Sequence, residues 1–193
     1  TDPSGGVFYP DYFGKDFVLN DLTHDGGLTA IRIEGPTNSV DQRANRLSKE
    51  LGLLDQELSI LDNEQSNIFW SRTKNLEVFK SLKSNLLRIV LPMSETLQVI
   101  QKLKNFEIKY FIDWGGGLIW ASFDQLNTKI LSEIKDTVKK HQGYITLIKV
   151  EEDLKASADI FTIDPIKYKI SEKIKRSFDP KRIFNPGKMY TGI

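Results

Sequence analysis

Alternating apolar and polar side chains mark this chain as a series of short strands, separated by stretches with helical spacing. Thr29 to Glu34 (TAIRIE) alternates like a half-buried strand, and Gly35-Pro36 ends it. Ser39 predicts the N-cap of a helix reaching Leu51, with Val40, Ala44, Leu47 and Leu51 on one face and Gly52 as its stop. Gln56 to Leu61 alternates again and predicts a second strand. Asn63 to Lys83 reads as mostly helical, carrying Phe69, Trp70, Leu76, Val78 and Phe79.

The pattern is clearest from Leu86 onward. Leu86 to Leu91 (LLRIVL) predicts a strand closed by Pro92. Ser94 and Glu95 open a helix through Lys104, with Leu97, Ile100 and Leu103. Ile108 to Asp113 predicts a strand, Gly115-Gly116-Gly117 a turn, and Leu118 to Phe123 (LIWASF) its hairpin partner. Asp124 opens a long amphipathic helix with Leu126, Ile130, Ile134 and Val138 inward and Gly143 at its end. Tyr144 to Val150 is the last strand. This order, β-α-β-β-α-β, is the split-βαβ or ferredoxin-like unit. The earlier β-α-β resembles half of another, since AIRIEGPTNSV and LLRIVLPMSET share a strand with a central Arg, a Pro and a capped helix. The expected fold is therefore α+β, a ferredoxin-like antiparallel sheet with helices on one face.

Residues 1–28 have no clear period and read as an irregular lead-in or linker; 29–150 form the ferredoxin-like domain. In 151–193 a polar stretch precedes a helix from about Pro165 to Ser177 and a tail. That tail carries two X-Pro turns, Phe178-Asp179-Pro180 and Asn185-Pro186-Gly187-Lys188. Turns so closely spaced restrict a terminus that would otherwise fray, as expected of a tail that docks.

At 193 residues, 39% hydrophobic and 27% charged, the chain has ample length for a core. A net charge of +1 gives no bulk attraction for nucleic acid. The absence of cysteine excludes disulfides, Cys-ligated zinc, iron–sulfur clusters and a cysteinyl–flavin bond within these residues. His24 and His141 have no metal-ligand spacing. No apolar run reaches the ~20 residues of a membrane-spanning helix. The start, TDPSGG, has neither a signal peptide nor an initiator Met, and is expected to belong to a fragment or processed piece.

The three glycines lie between two strands, so a hairpin turn fits them better than a phosphate loop, which needs a strand leading into a helix. Trp114 and Trp120 flank that turn, either packing on the core or lining a substrate cleft. Arg32 and Arg88 fall mid-strand between Ile/Leu neighbours, which places them on the polar face; a substrate-binding role is the alternative. Arg72, two residues from Trp70, is either a surface Arg or a carboxylate anchor beside an indole. The lysine-rich helix Lys167–Arg176 reads as a solvated face rather than a nucleic-acid patch.

Three stretches together resemble FAD-linked oxidases of the vanillyl-alcohol-oxidase type, and within them the E subunit of bacterial glycolate oxidase. They are AIRIEGP (Ala30–Pro36), DWGGGLIWASF (Asp113–Phe123) and FDPKRIFNPGKMY (Phe178–Tyr190). The resemblance implies the cap and C-terminal portion of an FAD-dependent 2-hydroxy-acid oxidoreductase. Such an enzyme converts glycolate to glyoxylate by hydride transfer to the flavin. It implies that Asn185, Pro186, Gly187 and Lys188 lie near the flavin ring, with Arg72, Trp114 and Arg88 as substrate-binding candidates and the catalytic residues unassigned. It implies a flavin-binding domain or subunit, an iron–sulfur partner subunit, a small 2-hydroxy acid as substrate and a cytoplasmic setting. Membrane association through partner subunits is left open, and neither a nucleic acid nor a membrane span is expected. The Gly/Ser-rich pyrophosphate-binding segment of that family has no match in residues 1–28, so the isolated chain is expected neither to bind FAD tightly nor to turn over. The alternatives are a free-standing ferredoxin-like binding or assembly module, and a regulatory domain that binds a small ligand.

Overall fold

The computed structural model describes residues 2–13, 26–52, 58–82, 85–151, 154, 160–162 and 164–187. The described residues form an α+β fold whose antiparallel sheet has six strands: β1 (Gly5–Tyr9), β2 (Leu28–Arg32), β3 (Asn85–Val90), β4 (Ile108–Asp113), β5 (Leu118–Phe123) and β6 (Tyr144–Lys149). Their order is β2-β1-β4-β5-β3-β6. Five α-helices accompany them: α1 (Thr37–Leu51), α2 (Asn63–Lys74), α3 (Thr96–Leu103), α4 (Thr128–Lys140) and α5 (Pro165–Phe178). The chain divides into two compact units, one of residues 1–82 and 111–116, the other of 83–110 and 117–193.

Residues 85–149 carry the predicted split βαβ, and the order β4-β5-β3-β6 is that of the ferredoxin-like arrangement. β3 is its central strand, pairing antiparallel with β5 (Leu87↔Ala121, Ile89↔Ile119) and with β6 (Leu87↔Leu147, Ile89↔Ile145). Leu87, Ile89, Ile119, Ala121 and Ile145 are buried, as the alternation requires. α3 contributes Val99, Ile100 and Leu103 to the core, and α4 contributes Leu131, Ile134 and Val138. Asn85 is buried at the start of β3. It donates from Nδ2 to Phe123 O (3.4 Å) and accepts from Glu151 N (3.0 Å), which satisfies both ends of its amide.

Two boundaries in this unit differ from expectation. α4 begins at Thr128 rather than Asp124, because the extended Asn127 is the N-cap and accepts Ile130 N at 2.9 Å. It ends at Lys140, and Gly143 N bonds back to Val138 O at 2.9 Å. A Cβ on Gly143 would stand 2.7 Å from Val138 Cγ1 and 2.9 Å from Val90 O, so the close approach requires glycine.

In the first unit, residues 5–9 correct the expectation of an irregular lead-in, since β1 pairs antiparallel with β2 from Gly5↔Arg32 to Tyr9↔Leu28. Phe8 also pairs with Ile112. α1 starts two residues before Ser39, after the extended Pro36, and Gly52 ends it in the left-handed region at φ 63°. Of the expected strand at 56–61, residues 56 and 57 lie outside the described residues. Residues 58–61 form no strand: Ile60 points to solvent, and Asp62 instead caps α2 by accepting Gln65 N at 2.8 Å. α2 is shorter than the predicted 63–83 stretch, giving way to a 3-10 turn at Glu77–Phe79.

The core of this unit is aromatic. Tyr9 packs edge-on against Phe13 and Phe69, with Phe111 at 4.8 Å, and Phe79 stacks on Phe111 at 5.6 Å. The buried Tyr9 hydroxyl donates to Thr73 Oγ1 (3.0 Å), which donates to Phe69 O (3.1 Å). No polar end of the ring is stranded, and burial raises the phenol's pKa well above its ordinary value.

Candidate functional site

The tail that follows α5 is a built turn. α5 is N-capped by Asp164, which accepts Ile166 N at 2.8 Å, and has Pro165 in its first turn. At its other end Asp179, 5% exposed, collects three donors: Ile183 N (2.9 Å), Phe184 N (2.9 Å) and the Lys175 ammonium (2.7 Å). Lys175 also donates to Phe184 O at 2.5 Å. The ammonium and the two backbone N–H groups lower the Asp179 pKa to about 2. Pinned this way, the backbone takes left-handed conformations at Arg182 (φ 51°), Asn185 (φ 46°) and Gly187 (φ 70°). Residues 185–187 are exposed, and a Cβ on Gly187 would meet nothing within 4 Å. The fourth residue of the predicted set, Lys188, lies outside the described residues.

Arg72 and Trp114 belong to the first unit, whereas Arg88 and Asn185–Gly187 belong to the second. Arg72 sits near the end of α2, half-buried, 3.8 Å from Glu77. The guanidinium over the Trp70 indole is that of Arg32, at 5.9 Å from the ring centroid; Arg32 also pairs with Glu34 at 2.9 Å. Trp70 further lies against β1, where a Cβ on Gly5 would come within 3.2 Å of its Cη2. Arg88 is half-buried in β3, opposite Trp120 and Thr146.

Trp114 is 57% exposed and begins a tight turn with φ 54°, followed by Gly115 at φ 61°. The turn joins β4 to β5, which is the hairpin reading rather than the phosphate-loop one. Trp120 is half-buried. Gly6 of β1 lies under the turn, where its Cβ would be 3.3 Å from Gly115 Cα. Asp113 accepts Trp114 N at 2.7 Å, yet its pKa is raised because burial outweighs that bond.

The sequence patterns do not single out the clip around His141. Its Nδ1 lies 2.6 Å from Glu95 Oε2 and its Nε2 lies 3.0 Å from Lys102 Nζ. With Lys102 as donor, Nε2 accepts and Nδ1 carries the hydrogen toward Glu95. The three groups come from the two ends of the α3 region and the C-cap of α4, 39 and 46 residues apart in the chain. No sequence spacing announces such a contact. Among the described residues no cluster of His, Asp and Glu could hold a metal ion.

A pyrophosphate is commonly held where a glycine-bearing turn leads from a strand into a helix. Among the described residues, the strand-to-helix turn that contains a glycine is Glu34–Thr37, and the Arg43 guanidinium is folded across it, donating to Glu34 O and to Asp2 O (3.2 Å). That turn therefore offers no free backbone cradle for a pyrophosphate.

No protein-family model matches the chain, and no curated protein matches it.

Proposed function

We propose that this chain is the cap and C-terminal portion of an FAD-dependent 2-hydroxy-acid oxidoreductase of the glycolate-oxidase E-subunit kind. The observation that carries the reading is the stretch FDPKRIFNPGKMY, Phe178–Tyr190, whose described part is a preformed, exposed turn around Asp179. A turn fixed before it meets a partner loses little conformational freedom on docking. The α+β sheet with its split-βαβ order is compatible with a cap domain, although a fold hosts many functions and does not select one.

In this reading Asn185, Pro186 and Gly187, with Lys188, lie against a flavin held by a separate flavin-binding domain or subunit. The flavin would supply the hydride acceptor for oxidation of a small 2-hydroxy acid. An iron–sulfur partner subunit would carry the electrons onward, and the setting would be cytoplasmic. Arg72, Trp114 and Arg88 remain candidates for the substrate carboxylate and cleft wall. The chain by itself would be inactive.

The test is to mix the chain with a flavin-binding polypeptide of this family and follow glycolate-dependent dye reduction. Turnover that needs both components, and that Asn185→Asp lowers without lowering the melting temperature of the chain, supports the reading. Asn185 is exposed and an aspartate tolerates its positive φ, so that loss would come from what docks there. No turnover with glycolate or other 2-hydroxy acids overturns it.

A further inference from the structure

α5 is set on the protein with its polar side inward. Tyr168, Ser171, Glu172 and Lys175 are half-buried, whereas Ile166, Ile170, Ile174 and Phe178 are exposed, from 52% at Ile170 to 85% at Phe178. These four residues recur every four positions along α5. At about 100° per residue they form one stripe, turning by roughly 120° over a helix about 21 Å long. The inward side is tied to the tail, through Lys175 to Asp179 and Phe184 and through Glu172 to Arg182 (3.9 Å). Ile183 and Phe184, 66% and 68% exposed, continue the apolar surface past the helix end. An amphipathic helix normally turns its apolar face inward, so this face is made for something outside the chain.

The charges say what kind of surface fits. Lys169 and Lys173 run along one margin of the stripe and Lys167 lies on the other, all exposed. The acidic member of α5, Glu172, is on the inward side. Residues 164–187 hold seven basic and three acidic side chains, a net +4 in a chain whose total is +1. A second copy would bring the same basic margins against themselves. A continuous negative layer beside an apolar interior meets both margins at once, and that is the surface of an anionic bilayer.

We propose that the outward face of α5 docks on anionic lipid, with Ile166, Ile170, Ile174 and Phe178 entering the headgroup boundary and the basic margins pairing with lipid phosphates. The helix lies along the surface and does not cross it. The inference stands independently of the oxidoreductase reading.

The test is sedimentation of the full chain at low salt with vesicles of phosphatidylcholine alone or mixed with phosphatidylglycerol. The chain should sediment with the mixed vesicles, and added salt should release it. Lys167→Gln, Lys169→Gln and Lys173→Gln together should weaken binding by about a hundredfold, at roughly fivefold per basic residue. Ile170→Glu with Ile174→Glu should weaken it by at least about tenfold. All five side chains are exposed, so the variants should keep the circular dichroism and melting temperature of the parent. A chain that stays in the supernatant with phosphatidylglycerol vesicles overturns the proposal and leaves the stripe to a protein groove. Binding that is indifferent to both sets of substitutions overturns it as well.

Discussion

Two aspartates show how a carboxylate's surroundings set its role. Asp179 is held ionised by Lys175 and two backbone N–H groups, so its folded pKa, about 2, lies below the ordinary 3.8. Its stabilisation is thus fully present above the ordinary value and is lost as pH falls through about 2. Asp179→Asn should accelerate amide exchange at Ile183 and Phe184 at neutral pH, with the difference shrinking in strong acid; equal exchange at neutral pH would refute the account. Asp113 runs the other way. Burial raises its pKa, so ionisation costs the fold stability, and the cost appears as pH rises past the ordinary 3.8 and through the raised value. Asp113→Asn should be more stable at pH 7 by roughly a few tenths of a kcal/mol, because the group is partly exposed. Denaturant titrations at pH 7 and below pH 3.8 should show that gain and its disappearance.

At the scale of elements, legibility followed the pattern's length and two-sided burial. LLRIVL and LIWASF are apolar over nearly their whole length and mostly buried on both faces, and were readable as β3 and β5. β1 (GGVFY) was not, since two of its five residues are glycine and its place is set by pairing with Leu28–Arg32. The reverse error at 58–61 has the same cause: alternation around Ile60 fits a strand, but only a sheet edge could make it one. The two strand–Pro–helix openings correspond locally, Pro36 (φ −60°, ψ 142°) and Pro92 (φ −58°, ψ 136°) sharing one conformation. Glycine at the end of the α4 region was readable as a stop, but not as a point of close approach. Gly143→Ala should cost about 1–3 kcal/mol, as overpacking does, because Val138 and the Val90 carbonyl stand where the methyl would go. Urea unfolding measures this, and a change within error would show that the turn relaxes freely.

At the scale of the whole molecule, the candidate site divides between what a motif can carry and what only folding supplies. FDPKRIFNPGKMY was legible because turn residues at fixed offsets leave a mark in sequence. Arg32 over Trp70, and the Glu95–His141–Lys102 clip, were not legible, because each joins residues distant in the chain by packing alone. The same distinction governs cofactor binding. A flavin dinucleotide needs a cradle for its pyrophosphate as well as contacts near its ring. The glycine-bearing turn that could have served, Glu34–Thr37, is closed by Arg43. The backbone at 185–187 is exposed. The purified chain should therefore be colourless and should not retain FAD through gel filtration. Flavin absorbance co-eluting with it at stoichiometric amounts would show that the cradle is already here, and that the turn at Asp179 completes a site rather than awaiting one.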